Sequence, residues 1–232
     1  MRKAVVIAAS GLLALVGAGL GQRAEAVPLV NGNTLTVGDV VFTVQNCVLT
    51  VASVGGACSG DLELIPNPSA PVGTYGVKVD RPSSDIFSVP LPGSSGTYDL
   101  AFDLDLKAVS SNVTIQSDAV GITGSAAVAN LSKVTASEVI KDNASVTIGS
   151  GSASLAAPSQ TISFVPQTLT TSAKISVHKD IKVQLLGATS PDTLVLNSVT
   201  QDFARAPEPA SIGVLLFGLA AVAAARRRRL ER

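Results

Sequence analysis

A two-residue alternation, with large apolar side chains at every second position, most limits how this 232-residue chain can fold. The clearest example lies near residue 100, where Ala101, Asp103 and Asp105 separate four apolar residues: Leu100, Phe102, Leu104 and Leu106. In an α-helix these side chains would scatter around the axis, whereas in a β-strand they share one face. Segments 40–47 and 173–185 repeat the pattern. Such segments predict antiparallel strands with one apolar face and one polar face.

One basic residue interrupts the last of these patterns. Between Ala173 and Leu185 every second side chain is apolar except that of Lys179. A charge on an otherwise apolar face predicts a β-bulge or a tight turn at residues 178–180. The segment is then either one bent strand or two paired strands.

Alternating segments separated by glycine and proline turns extend over residues 27–206. Convincing helical periodicity is missing from this interval, and Asn130–Lys141 is the best helical candidate. The interval therefore predicts an all-β domain, either an antiparallel sandwich or an elongated sheet. A solenoid is the weaker alternative, because no fixed repeat period is present. The length suffices for one domain or for two small ones.

The N-terminus has the three parts of an export signal. Two basic residues follow Met1, and an apolar run spans residues 4–20. Ala24 and Ala26 then form an A-x-A cleavage site. This order predicts a signal peptide over residues 1–26, a helix that signal peptidase removes by cutting after Ala26. An uncleaved membrane anchor is the alternative.

Three elements follow the β-rich interval in a fixed order. They are a Pro-Glu-Pro motif, an apolar stretch over residues 210–225 and an arginine cluster: Pro207, Glu208 and Pro209, then Arg226, Arg227, Arg228 and Arg229. The apolar stretch predicts a transmembrane helix of about 24 Å, shorter than the ~30 Å hydrocarbon core of a bilayer. The arginines stay on the cytoplasmic side by the positive-inside rule, which leaves the domain outside.

The C-terminal order of motif, short helix and basic cluster resembles the PEP-CTERM sorting signal over residues 207–232. The resemblance implies a partner exosortase, a membrane-embedded cysteine protease-transpeptidase of bacteria that make extracellular polysaccharide. It implies an intermediate held transiently in the inner membrane and cut near Pro207–Pro209. The domain would then reach the cell surface or the extracellular matrix of a biofilm in a Gram-negative-type bacterium. A permanent C-terminal anchor is the alternative.

Both cysteines of the chain, Cys47 and Cys58, lie in the exported interval. An oxidising compartment favours a disulfide between them, and the short loop predicts a contribution of about 2–3 kcal/mol. Two buried free thiols are the alternative.

Charge and motif content exclude several classes of function. Nine basic and fourteen acidic residues give the interval 27–206 a net charge of −5. A mildly acidic domain without a basic patch predicts no binding of nucleic acid. The chain has a single histidine, His178, and neither a G-x-S-x-G motif nor a phosphate-binding loop. The sequence therefore predicts no enzyme and no cofactor, with an envelope hydrolase as the least favoured reading.

Acidic residues on the polar face near residue 100 are the weak candidates for a metal site. Asp99, Asp103 and Asp105 project from one side of one predicted strand. Clustered carboxylates suit calcium, although a solvated face that discourages edge pairing is the simpler interpretation. The sequence thus predicts a non-enzymatic structural or interaction protein. The alternative is an adhesin module that binds calcium or extracellular polysaccharide.

Overall fold

A computed structural model describes residues 25–206 except for gaps at 52–53, 59, 83, 92–95, 111, 127–131 and 186–191. The predicted signal helix and the predicted membrane helix at 210–225 lie outside the described residues. Within the described ranges, no helix has the length and apolarity needed to cross a membrane.

Strands account for the regular structure of the described residues, so the all-β prediction is confirmed. In chain order, β1 to β14 are Val27–Pro28, Thr34–Val37, Val40–Val51, Val54–Ala57, Glu63–Pro66, Thr74–Asp80, Phe87–Leu91, Gly96–Ala108, Val113–Ala126, Ser132–Lys141, Thr147–Ser154, Ser159–Leu169, Ile175–Leu185 and Asp192–Arg205. The best helical candidate of the sequence, Asn130–Lys141, contains strand β10 instead. Its β-branched residues favour extended backbone.

The strands pair into two antiparallel sheets, each with seven strands in the described part of the chain. Sheet A has the order β1-β5-β6-β14-β9-β12, and β7 also pairs with β14. Sheet B has the order β11-β10-β13-β8-β3-β2, and β4 also pairs with β3. The last strand of the chain, β14, lies between β6 and β9 and so joins the two halves of sheet A.

The two sheets pack face to face around one apolar core. The alternating residues Leu100, Phe102 and Leu104 of β8 are buried, as the sequence pattern predicts. The ring of Phe42 in sheet B contacts the ring of Phe203 in sheet A, with their centroids 5.9 Å apart. The architecture is therefore the sandwich, and not the elongated sheet, of the two predicted alternatives.

Strand β13 contradicts the bulge or turn predicted at residues 178–180. Along its full described length, it pairs residue by residue with β10 on one side and β8 on the other. Lys179 keeps its inward position and is only 1% exposed. The prediction is wrong because the lysine finds an ionic partner, Glu138, inside the sandwich and has no need to reach solvent.

A register shift does occur in β9, where it turns a carboxyl group inward. Ile115 and Ser117 pair with the adjacent residues Arg205 and Ala204 of β14, so β9 carries one extra residue. Such a bulge changes which side chains face the core. Unbroken alternation from Ile115 would bury Ser117, whereas the structure buries Asp118.

The predicted disulfide is confirmed. Cys47 and Cys58 are bonded, with their Cα atoms 5.5 Å apart, and both residues are buried. The backbone N–H of Cys47 also donates to Oδ1 of Asn31 at 2.6 Å. The bond ties β3 to the segment that follows β4.

Candidate functional site

Four polar side chains meet in the apolar core between the sheets, and we call them the polar cluster: Asp118, Glu138, Lys179 and Gln201. Sheet A contributes Asp118 from β9 and Gln201 from β14. Sheet B contributes Glu138 from β10 and Lys179 from β13. Each of the four residues is at most 2% exposed. Buried polar groups of this kind are stable only when they are paired and hydrogen-bonded.

Hydrogen bonds connect the cluster across the two sheets. Nζ of Lys179 donates to Oε2 of Glu138 at 2.8 Å. The side-chain amide of Gln201 donates to Oδ2 of Asp118 at 2.6 Å and to Oε2 of Glu138 at 3.2 Å. Gln201 therefore holds the two carboxyl groups next to each other.

Asp118 is the member of the polar cluster whose protonated form is favoured. Burial raises the pKa of Asp118 well above its ordinary value, and the negative charge of Glu138 raises it further. The positive charge of Lys179 acts in the opposite direction but is the smaller effect. The protonated form of Asp118 carries no charge, so it adds none to the ion pair of Lys179 and Glu138.

Three oxygens of the cluster have no hydrogen-bond partner among the described residues: Oδ1 of Asp118, Oε1 of Glu138 and Oε1 of Gln201. A proton on Asp118 lets that carboxyl donate to Glu138, and this interaction is one of the causes that raise its pKa. A buried oxygen without a hydrogen bond costs free energy, so these three atoms are the least satisfied polar atoms of the cluster.

The sequence identified only Lys179 from this cluster, as an interruption of an apolar face. Glu138 also stands on the inward face of its strand, between Ala136 and Ile140. An acidic and a basic residue on two inward faces is a signal that could have predicted the ion pair. The signal for Asp118 is ambiguous, because it is in phase with Val120 and Ile122 but the bulge in β9 puts it out of phase with Ile115.

On the outer face of sheet B, the three weak calcium candidates have basic neighbours on β13 or directly before it. Asp103 lies 2.6 Å from Nδ1 of His178 and also accepts from Nδ2 of Asn46 at 2.6 Å. Asp105 accepts from Nζ of Lys174 at 2.6 Å and from Oγ of Ser176 at 2.7 Å.

Asp99, the third calcium candidate, also has a basic neighbour on the outer face of sheet B. Its Oδ2 lies 3.7 Å from Nζ of Lys182, and that lysine also pairs with Asp180. Burial, followed by the interaction with Asp180, raises the pKa of Asp99. In the part of the chain that the structure describes, no group of three or more His, Cys, Asp or Glu side chains could hold a metal ion. A cation at this face would have to displace the existing basic partners.

The predicted processing sites flank the folded strands closely. Ala26 is exposed and directly precedes β1, while Ala24 lies outside the described residues. At the other end, β14 extends to Arg205, and the backbone N–H of Ala206 donates to the carbonyl of Thr114 at 2.8 Å. The Pro-Glu-Pro motif and the arginine cluster lie outside the described residues.

The start of β1 and the end of β14 point toward the same end of sheet A. Strand β1 is antiparallel to β5, β5 is antiparallel to β6, and β6 is antiparallel to β14. Strand β1 therefore runs opposite to β14. The segment before β1 and the segment after β14 therefore leave the sheet in the same direction, although the register places Val27 level with Val199, near the middle of β14.

Among known protein families, the PEP-CTERM protein-sorting motif matches residues 205–229. The match therefore begins at the last residue of β14. Among curated proteins, none matches the chain. The predicted resemblance of the C-terminus to this sorting signal is confirmed.

Proposed function

We propose that this chain, which carries a PEP-CTERM protein-sorting motif, delivers a non-enzymatic structural or interaction domain to the bacterial cell surface or extracellular matrix. The motif marks an exported protein that an exosortase sorts. The role of the delivered sandwich is the further step of the proposal.

The observation that carries the proposal is the fit between the fold and its two processing signals. Strand β1 begins at Val27, directly after the predicted signal cleavage site. The last described hydrogen bond at the other end is that of Ala206, the residue before the Pro-Glu-Pro motif. Removing both targeting segments leaves all fourteen described strands intact. The fold therefore suits a domain that is released from both.

The directions of the strands support membrane-proximal processing. Because the segments before β1 and after β14 leave sheet A in the same direction, either segment can tether that side of the domain to a membrane. The opposite end of the sandwich then faces away from the bilayer. This arrangement suits a protein whose C-terminal sorting tail is cut after the folded domain has crossed the membrane.

Two features support a non-enzymatic role. The members of the polar cluster are at most 2% exposed, so a substrate in solution has no direct contact with them. The only histidine, His178, is bound to Asp103 on an outward face and has no nucleophilic partner in the contacts described for it. General acid–base catalysis needs its groups within reach of a bound substrate.

Mass spectrometry of the mature protein from its native host tests the proposal. We expect an N-terminus at Val27 and a C-terminus near Pro207–Pro209. Replacing Arg226–Arg229 with glutamines should leave the tail attached, because the cluster fixes its orientation. Arg81→Gln, within the domain, is the control and should be processed normally. Surface-exposed protein that retains Arg226–Arg229 in the wild type would contradict the proposed processing.

A search for hydrolysis of envelope polysaccharides by the purified protein tests the non-enzymatic role separately. Hydrolysis that disappears in His178→Ala or Asp103→Asn would contradict that part of the proposal.

A further inference from the structure

The polar cluster brings an amine and a carboxyl group into contact where water is excluded. Nζ of Lys179 lies 2.8 Å from Oε2 of Glu138, and the two side chains are 1% and 0% exposed. We propose that these side chains become joined by an amide bond between Nζ of Lys179 and Cδ of Glu138. The bond would cross-link β13 to β10 inside the sandwich.

The backbone holds the two reacting groups together before any reaction. Glu138 and Lys179 are direct partners in the register of β10 and β13, and the pairing continues on both sides of them. Holding two reactants in contact replaces a bimolecular encounter by an intramolecular step, which is worth effective concentrations of about 10⁵ M or more when they are well oriented. In water, by contrast, hydration stabilises the ammonium–carboxylate salt, and burial removes that stabilisation.

A carboxylate resists attack by an amine, so the reaction needs a proton donor beside Glu138. Asp118 is such a donor, because it shares the Gln201 amide with Glu138, and burial and the charge of Glu138 favour its protonated form. Gln201 donates hydrogen bonds to both carboxyl groups and so acts as the positioning residue. The oxygens with no partner among the described residues include one from each carboxyl group, which leaves both available for proton transfer.

The step balances in atoms, protons and charge. Asp118 gives its proton to the carboxylate of Glu138, and the ammonium group of Lys179 gives a proton to Asp118. The neutral amine attacks Cδ of Glu138 and forms the new C–N bond. The C–O bond to the hydroxyl group breaks, and the hydroxyl leaves as water with the second proton from the nitrogen. Asp118 ends protonated, as it began, and no oxidant or other reactant is required.

The product removes both formal charges from the core. The ion pair of Lys179 and Glu138 becomes a neutral amide, while the released water can leave to solvent. The reaction thereby removes the free-energy cost of keeping two ions away from water. The new bond also connects two strands through residues that are 41 positions apart in the sequence. A covalent link of this kind limits how far sheet B can open.

Asp118 is the other carboxyl group that Lys179 could attack. A bond to Asp118 would join the two sheets, with Glu138 as the proton relay. Nζ of Lys179 contacts Glu138 directly at 2.8 Å, which favours Glu138. Among the described residues, Lys179 is connected to Asp118 only through hydrogen bonds by way of Glu138 and Gln201. The two products differ in which peptide becomes attached, so one digest distinguishes them.

Trypsin digestion of the exported protein from its native host, followed by tandem mass spectrometry, tests the proposal. We expect residues 134–141 joined to residues 175–182, uncut after Lys179 and lighter than the sum of the two peptides by one water. Separate, unmodified peptides 134–141 and 175–179 as the dominant species would overturn the proposal. A link from Lys179 to Asp118 would overturn the assignment to Glu138.

The same digest contains an internal control. Lys174 and Asp105 form an ion pair at 2.6 Å on the outer face, where Lys174 remains 37% exposed. We expect no link between them, because solvent keeps this pair charged. A link at both pairs would indicate a non-specific dehydration and would overturn the proposed role of the buried site.

Asp118→Asn tests the proton donor. The amide has nearly the same shape as a protonated carboxyl group, but it cannot relay the proton. We expect the linked peptide to fall at least tenfold relative to the wild type. An undiminished link would overturn the role of Asp118. The wild-type digest decides the existence of the bond whether or not this variant folds.

Discussion

Lys179 on β13 lies directly opposite Glu138 on β10, and neither side chain of this ion pair reaches solvent. The pair occupies the inward face of sheet B among apolar neighbours. Sheet A completes its surroundings with Asp118 and Gln201. The charge that interrupts an apolar sequence pattern thus belongs to a network that spans the whole sandwich.

Lys179→Met should destabilise the protein by about 3–5 kcal/mol, because it leaves the carboxylate of Glu138 buried without its partner. Chemical unfolding of the purified chain measures the change. The matched control is Lys182→Met on the outer face of the same strand, where the lysine is 42% exposed. That change should cost about 1 kcal/mol or less. Equal effects of the two substitutions would contradict the buried network.

The raised pKa of Asp118 predicts that the stability of the protein falls as the pH rises. Its folded-state pKa is raised above the ordinary value of 3.8, so folding favours the protonated carboxyl. The resulting stabilisation is fully present below pH 3.8 and is lost as the pH rises through the folded-state pKa. Asp118→Asn removes this titration. The free energy of unfolding of the wild type should therefore fall with pH relative to that of the variant.

Denaturant titrations at a series of pH values measure this difference. Asp99 and Asp202 also have raised pKa values, mainly through burial, but they are present in both proteins and cancel in the comparison. A constant offset between the two proteins does not affect the result. Parallel stability curves across the whole pH range would show that Asp118 does not titrate as proposed.

Reduction of the bond between Cys47 and Cys58 should lower the free energy of unfolding by about 2–3 kcal/mol, the cost expected for a short loop. The two residues are 11 positions apart, so the constraint is local. Unfolding with and without a reductant, compared with a Cys47→Ala/Cys58→Ala variant, measures it. The reduced protein and the double variant should agree. A loss of all folded structure would contradict a merely local role.

Calcium should change the melting temperature very little. Asp99, Asp103 and Asp105 already have basic neighbours, so a cation gains little by displacing them. Thermal unfolding with calcium and with an equal ionic strength of sodium chloride makes the comparison. A calcium-specific rise that disappears in Asp103→Asn would favour the adhesin alternative.

A chain that ends at Ala206 should be as stable as the domain with its tail, because the last described hydrogen bond belongs to that residue. A chain that ends at Asp202 loses Phe203, which is fully buried against Phe42. Losing a buried aromatic side chain costs about 3–5 kcal/mol. Circular dichroism and chemical unfolding of the two truncated chains distinguish the outcomes. Equal stability would mean that the end of β14 contributes nothing.

The sequence predicted those parts of the fold that depend on local alternation. Leu100, Phe102 and Leu104 face the core as expected, because the two-residue period of a strand needs no knowledge of its partners. The sequence failed at Lys179, where the partner lies on another strand. Pairing between strands is a property of topology, and a local pattern does not contain it.

The sequence could predict single charged residues of the candidate site, but not which of them lie in contact. Lys179 and Glu138 each stand out on an inward face, but their distance of 2.8 Å follows from the register of β10 and β13. Asp118 enters the core because β9 carries one extra residue relative to β14. Insertions of this kind change the facing of every later residue in a strand, and alternation read from one end assigns those residues to the wrong side.

The position of β14 makes the completion of sheet A depend on the C-terminal end of the domain. All described strands of sheet B end by Leu185, whereas β1, β5 and β6 remain unconnected to β9 and β12 in sheet A until β14 inserts between them. In the export that we propose, which begins at the signal peptide, β14 emerges after the other described strands. We expect sheet A to be completed only then, directly before the sorting motif that begins at Arg205.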